Sequence, residues 1–304
     1  MPVHFIHVRG AGPDPVPLLL MHGWPSSVWE LQKLIPRLVD PASFEADPKD
    51  SFTVIAPSLP GHGFSFAPGQ PRLGIAEIAD VYADLMIYTV GHERFSTAGG
   101  DWGAFISARL GHVYPEHLLG MHLSLLPLPR DAVRPERPTP DEERYLEELD
   151  HFLREETGYS WIQGTKPQTL AYALTDSPVG LAAWIVEKFQ RWSDCGGDIE
   201  SVFSKDDLLT NVMIYWVTGA INSSFWPYYA RHHGPWPFPP DQRITVPTAH
   251  AAFPRDIVRQ PRAWAERTFD LRRWTDMPAG GHFAAFEQPA LFVDELRAFF
   301  RLVR

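Results

Sequence analysis

The sequence predicts a doubly wound α/β protein, a mostly parallel sheet with an inserted helical cap. Three observations predict it. Short apolar runs alternate with helical periodicity in the outer segments, two proline-rich stretches bracket a long middle segment, and that middle segment has helical spacing with little strand signal. The 304 residues suffice for a full core without staples. An apolar share of 44% and a charged share of 21% exclude wholesale disorder. With 37 acidic against 27 basic side chains the formal charge is −10, which argues against nucleic acid and anionic membrane as partners. The single cysteine, Cys195, excludes an internal disulfide framework and fits a reducing compartment. No apolar run approaches the ~20 residues of a spanning helix. The N-terminus lacks the basic start and apolar stretch of a signal peptide. These features lead us to expect a soluble, cytoplasmic, enzyme-sized protein.

Val16–Met21 (VPLLLM) and 52–56 (FTVIA) are apolar runs suited to strands buried on both faces of a parallel sheet. Residues 94–98 (RFSTA) and 119–125 read as further strands. Ile75, Ile78, Tyr82, Leu85, Met86 and Thr89 keep helical spacing, so 75–90 is a covering helix. Many of the 30 prolines fall in 126–140 and 234–247, and because proline resists interior helix and strand positions, both read as connectors. The helical middle, 141–232, lies between them. Residues 245–253 and 271–277 are strands, and 289–302 closes as an amphipathic helix with Leu291, Phe292, Leu296 and Phe299 on one face. The expected organisation is a first core part over 1–125, a helical cap over 126–244, and a second core part over 245–304.

Ligands bind such sheets at the carboxyl ends of strands. Four predicted strand ends carry chemistry there: His22-Gly23-Trp24-Pro25, Gly99-Gly100-Asp101-Trp102-Gly103, Pro254-Arg255-Asp256, and Gly280-Gly281-His282-Phe283. The second has the Gly-x-nucleophile-x-Gly pattern of the α/β-hydrolase elbow, with Asp101 as nucleophile at the start of a helix. Alone, it also fits a glycine-rich turn with Asp as helix N-cap; the other three strand ends favour the elbow. A carboxylate attacking an ester would merely exchange acyl groups, whereas against a saturated electrophilic carbon it displaces an alkoxide or halide and becomes an alkyl ester. Water activated by a His–acid pair then attacks that ester, with the backbone N–H groups of Trp24 and Trp102 as expected oxyanion donors. Among 13 histidines, His282 alone follows the final strand in a Gly-Gly-His turn and is the expected base. Asp256 is the favoured orienting acid, and Asp131, past the preceding strand, is its competitor. His4, His7, His232 and His233 lack metal-ligand spacing, and no metal or organic cofactor is expected.

These residues resemble the microsomal-type epoxide hydrolases, including the insect juvenile hormone epoxide hydrolases, over nearly the whole chain. The similar segments are VHFIHVRG, HGWPSS, GGDWGA, the cap stretch GYSWIQGTKPQTLAYALTDSPVGLAAWIVEKFQRWSD, FSKDDLLTNVMIYWVTGAINSS and GGHFAAFEQP. The resemblance implies an α/β-hydrolase fold with a cap. It also implies two cap tyrosines on the epoxide oxygen: Tyr159, in Gly-Tyr-Ser-Trp-Ile-Gln, and Tyr228, after Ser223-Ser224 and beside Tyr229. Asp256 stands where many relatives have glutamate. Relatives usually carry an N-terminal extension that wraps the cap, and some a membrane anchor. This chain begins almost at the first shared strand, so the expectation is no anchor and a homo-oligomer.

The implied reaction opens an apolar epoxide through an ester on Asp101 and releases a vicinal diol after hydrolysis. Phenols support this chemistry independently, since at pH 7 a group with a pKa of about 10 stays protonated and can donate to a developing alkoxide. The main rival is a haloalkane-type dehalogenase with the same Asp–His–acid triad and Trp102 on the halide; the tyrosine pair disfavours it. No Gly-x-Ser-x-Gly elbow supports an ester hydrolase, Ser65 coming nearest. A catalytically dead binding module is the reading from another class, disfavoured by the intact triad. Tryptophans 161, 184, 192, 216, 226 and 236 lie in the cap or its return connector and suit apolar epoxides. Detoxification, catabolism and natural-product tailoring all fit.

Overall fold

The computed structural model describes residues 1–127, 134–239 and 242–304. Its strands are β1 (Phe5–Val8), β2 (Val16–Met21), β3 (Phe52–Pro57), β4 (Phe95–Gly99), β5 (Leu118–Leu123), β6 (Ile244–Ala252) and β7 (Phe269–Asp276). They form one sheet in the order β1-β3-β2-β4-β5-β6-β7. β1 runs antiparallel to β3, with Phe5 opposite Pro57, and the other neighbours are parallel. β3 and β4 are buried throughout, and β2 and β5 at all but one residue each, so water selects against polar side chains on either face and they read as apolar runs. The residues alone predict no strand over Phe5–Val8, where only the resemblance implies one, because four residues, three half-buried and one exposed, carry too short a pattern.

Two boundaries differ from expectation for a physical reason. β6 begins at Ile244 and runs through Pro247, inside a stretch expected to be a connector. Its register with β7 slips between Ile244 and Pro247, and an irregular ladder is where a strand tolerates proline's missing donor. The covering helix predicted over 75–90 is α-helical to Asp84 and continues as a wider π-helical turn over Leu85–Thr89.

The helices before the cap are α1 (Ile35–Val39), α2 (Ile75–Asp84) and α3 (Asp101–Val113). The cap helices are α4 (Pro140–Glu155), α5 (Gly158–Thr165), α6 (Pro167–Asp176), α7 (Pro178–Trp192), α8 (Lys205–Thr218) and α9 (Trp226–His233); α10 (Arg262–Thr268), α11 (Ala284–Glu287) and α12 (Pro289–Phe300) follow. Successive strand residues face opposite sides. Leu19 and Ile55 therefore join Tyr82, Ile106 and Leu110 in one apolar cluster, while Leu18 and Val54 join Leu38, Phe292 and Leu296 in the other.

All six cap helices lie between β5 and β6. α4 starts sharply because Thr139 and Glu142 cap each other, the Thr139 N–H donating to the Glu142 carboxylate at 2.8 Å, with Pro140 in the first helical position. α5 packs on α9 and α7 on α8. β2 lies between β3 and β4, so the strand order reverses between β2 and β4, and the crevice at their carboxyl ends opens under the cap.

Candidate active site

The turn from β4 into α3 holds Asp101 at φ +43°, a left-handed conformation uncommon outside glycine. Its neighbours must be small. A Cβ on Gly103 would lie 2.9 Å from both the Cβ and the carbonyl oxygen of Met21. Asp101 therefore stands clear of the sheet at the N-terminus of α3, where helix-end donors favour a carboxylate.

The loop after β2 closes over it. A Cβ on Gly23 would come within 2.3 Å of the Asp101 Cβ, so the backbone there lies directly against the side chain. The next N–H, that of Trp24, donates to Asp101 Oδ1 at 2.8 Å. The N–H of Trp102 follows Asp101 in the first turn of α3, where backbone donors have no acceptor within the helix.

Asp256 and His282 sit on the loops after β6 and β7. Arg255 N–H donates to Gly280 O at 3.1 Å and ties the two loops together; His282 N–H donates to Trp192 O at 2.8 Å and ties them to the cap. His282 Nδ1 is 2.7 Å from Asp256 Oδ1, and its Nε2 is 3.5 Å from Asp101 Oδ2. The side chain is only 2% exposed. Burial favours the neutral ring, but the Asp256 charge and hydrogen bond, with the Asp101 carboxylate nearby, outweigh it and raise the pKa to about 10. Asp131, the competing acid, lies outside the described residues.

Tyr159 of α5 and Tyr228 of α9 meet above this row with ring centroids 5.7 Å apart, nearly perpendicular. The Trp24 indole stacks on Tyr159 at 5.1 Å, and Trp102 meets Tyr228 edge to face at 4.7 Å. The Tyr228 hydroxyl is buried with no well-formed hydrogen bond among the described residues. Burial first, then the Asp101 charge for Tyr159 and the neighbouring Tyr159 and Asp101 for Tyr228, push both phenols above their usual pKa, so both remain proton donors. Tyr229 is exposed and stacks on His233, so Tyr228 is the residue facing the site.

A cavity of ≈ 440 Å³ is lined by Asp101, Trp102, both tyrosines and the apolar face of α4 (Leu146, Leu149, Phe152). Of the cap tryptophans, Trp161 lines the cavity and Trp192 meets the His282 ring edge to face at 5.3 Å. Trp184, Trp216 and Trp236 pack against the core, and Trp226 against Phe66.

All seven sequence-predicted site residues thus converge on one crevice. Two contributors were not foreseen. The α4 wall was legible in principle, as Leu146, Leu149 and Leu153 recur at helical spacing. Glu287 had no signal: its carboxylate accepts the N–H groups of Asp194, Gly281 and Phe283 at 2.8–2.9 Å and clamps the His282 loop. Burial, against those three bonds, raises its pKa to about 7. Among the described residues no three His, Cys, Asp or Glu side chains are grouped as metal ligands.

Residues 16–192 match the family model for the alpha/beta hydrolase fold. The chain is 44% identical to a protein of Stigmatella aurantiaca over 99% of this chain and 68% of that one. It is 38% identical to epoxide hydrolase 1 of Oryctolagus cuniculus over 99% of this chain and 72% of that one. Its structure superposes on the crystal structure of juvenile hormone epoxide hydrolase from Bombyx mori with a TM-score of 0.86 at 32% identity, covering 99% of this chain and 76% of that one.

Proposed function

We propose, from the premise that the chain belongs to the epoxide hydrolase family of the α/β-hydrolase fold, that it opens apolar epoxides through a covalent ester on Asp101. The enzyme is a hydrolase acting on the ether bond of an epoxide. The observation that carries the covalent reading is the Asp101 carboxylate, set against His282–Asp256 on one side and opening on the other into a cavity shared with two phenols.

Asp101 attacks a ring carbon and the C–O bond breaks. Tyr159 and Tyr228 donate to the departing oxygen as its charge develops. The new ester has no charge, so the second carboxylate beside His282 is gone, the ring's pKa falls, and any proton on Nε2 passes to the ring-opened oxygen, leaving neutral imidazole. His282 can then take a proton from water while Asp256 steadies the imidazolium. The hydroxide adds to the ester carbonyl while the Trp24 and Trp102 N–H groups hold the oxyanion; collapse expels the alkyl oxygen of the ester, which takes the proton from His282, and a vicinal diol leaves as Asp101 is restored. The apolar α4 wall and Trp161 suit an apolar substituent.

A dehalogenase reading has one observation in its favour: the Trp102 indole N–H is buried without a partner among the described residues, beside Asp101. One experiment separates the two. A His282→Gln variant is exposed to styrene oxide and to 1-chlorohexane, and its intact mass is measured. We expect a gain equal to the whole epoxide, mapped to Asp101. An alkyl adduct from the chloroalkane alone, with chloride released, would favour the rival.

A further inference from the structure

The Trp24 N–H that meets Asp101 belongs to the same peptide unit as the Gly23 carbonyl. Across this trans peptide the two groups point in opposite directions, so whatever holds the carbonyl aims the N–H. Two buried side chains hold it. His22 Nε2 accepts the Leu59 N–H at 3.1 Å, which puts the ring proton on Nδ1, 2.9 Å from Gly23 O. Ser26 Oγ reaches the same oxygen at 3.1 Å. Ser26 Oγ also hydrogen-bonds to a carboxylate oxygen of Glu30.

One serine hydroxyl has a single proton to donate. With Glu30 protonated, the acid donates to Ser26 Oγ, and Ser26 donates to Gly23 O. With Glu30 ionised, Ser26 gives its proton to Glu30, and the carbonyl keeps only His22. Donors in a chain polarise one another, so a second bond to the carbonyl makes the N–H of the same peptide a stronger donor.

We propose that Glu30 and Ser26 form a proton-dependent relay that sets the strength of the Trp24 N–H bond to Asp101, and thereby the balance between the two half-reactions. The inference rests on the covalent reading. A stronger Trp24 donor stabilises the free carboxylate, which slows its alkylation, and stabilises the oxyanion of the ester, which speeds hydrolysis. The relay therefore moves the two steps in opposite directions. Glu30 is poised for this. Burial raises its pKa to about 7, with Asp101 and Glu287 acting the same way and the Ser26 bond and the His282 charge opposing. The groups that face it are these together with Tyr215, whose hydroxyl donates to Ser26 O at 2.6 Å. Glu30 and Ser26 are positioning residues, acting on the substrate only through the Gly23–Trp24 peptide.

Single-turnover kinetics with styrene oxide, resolving ester formation and ester hydrolysis, test this on wild type, Ser26→Ala and Glu30→Gln, each checked for an unchanged melting temperature. Wild type must first show the Asp101 ester; its absence would overturn the covalent reading itself. With the ester present, Ser26→Ala is expected to slow hydrolysis by about three- to tenfold, the rate equivalent of one neutral hydrogen bond, and to leave alkylation equal or faster. Glu30→Gln, whose amide donates to Ser26 at every pH, is expected to hydrolyse the ester as fast as wild type near pH 5.5. It should outpace wild type by several-fold near pH 8.5. Equal slowing of both steps in Ser26→Ala, or a Glu30→Gln to wild-type ratio that does not change with pH, would overturn the relay. Should one variant not fold, the other decides alone.

Discussion

Tyr228 brings a buried hydroxyl with no well-formed bond and a ring wedged among Trp24, Trp102 and Tyr159. Removing the oxygen alone should therefore leave the packing intact. Tyr228→Phe is expected to keep the melting temperature and to slow ester formation by about ten- to a hundredfold, since Tyr159 remains as a second donor. Ester hydrolysis, which does not involve the epoxide oxygen, should be unchanged. Tyr229→Phe should alter neither step, because Tyr229 faces solvent. Burst experiments on the two variants check both statements, and equal losses would place the wrong tyrosine in the site.

At the scale of elements, α8 is one link between cap and core. Asp207, Asn211 and Tyr215 recur every fourth residue and share one face of the helix. Asp207 accepts from Trp29 Nε1 at 3.3 Å, Gln32 Nε2 at 3.0 Å and Lys33 Nζ at 3.2 Å. Asn211 donates to Pro25 O at 2.9 Å and Tyr215 to Ser26 O at 2.6 Å. The outer face carries Leu209, Met213 and Val217, all exposed. Leu208, Val212 and Tyr215 fill the buried face beside Asn211, so apolar residues lie on both sides and spacing alone does not select the buried one. Asp207→Ala strands a lysine and two N–H donors at once. It should cost roughly 1–3 kcal/mol, a fall of several degrees in melting temperature, and raise KM by loosening the loop that holds the Trp24 N–H. A thermal melt with steady-state kinetics reads both, and unchanged values would show that α8 is held by packing alone.

Across the whole molecule, buried titratable groups set the response to acid. Burial lowers the pKa values of His22, His62, His122 and His250 to about 4, 3, 3 and 4. Below about pH 6.5 the unfolded chain binds protons on these rings that the fold refuses, so their stability is complete above that pH and is lost as it falls toward 4. Glu30 and Glu287, raised to about 7, have the opposite sign: the fold takes up their protons first, so their stabilisation is present below about 4.5 and lost as pH rises through 7. Near pH 5, where the unfolded rings are fully protonated, four protons against two leave a net of about two, each worth about 1.4 kcal/mol per pH unit. Unfolding free energy should therefore be nearly level at pH 6.5 and fall with a steepening slope toward pH 5. His122→Leu, at a ring that meets Phe292 and Phe299, should make the fall shallower by about one proton. Urea titrations at three pH values test this, and equal slopes in both proteins would contradict it.

What the sequence by itself determined is whatever neighbours along the chain impose. Apolar runs specify buried strands, glycines at Gly99 and Gly103 allow the turn that presents Asp101, and strand ends gather the chemistry. Tertiary structure decided what depends on residues far apart in the chain. It sets Asp256 at 2.7 Å from His282, turns Tyr228 rather than Tyr229 inward, lets Pro247 into β6 through a slipped ladder, and brings the Asp194 N–H to the Glu287 carboxylate. The physical reason is range. Periodicity and turn chemistry act over a few residues, whereas a buried polar group finds its partner only when the whole chain has closed around it.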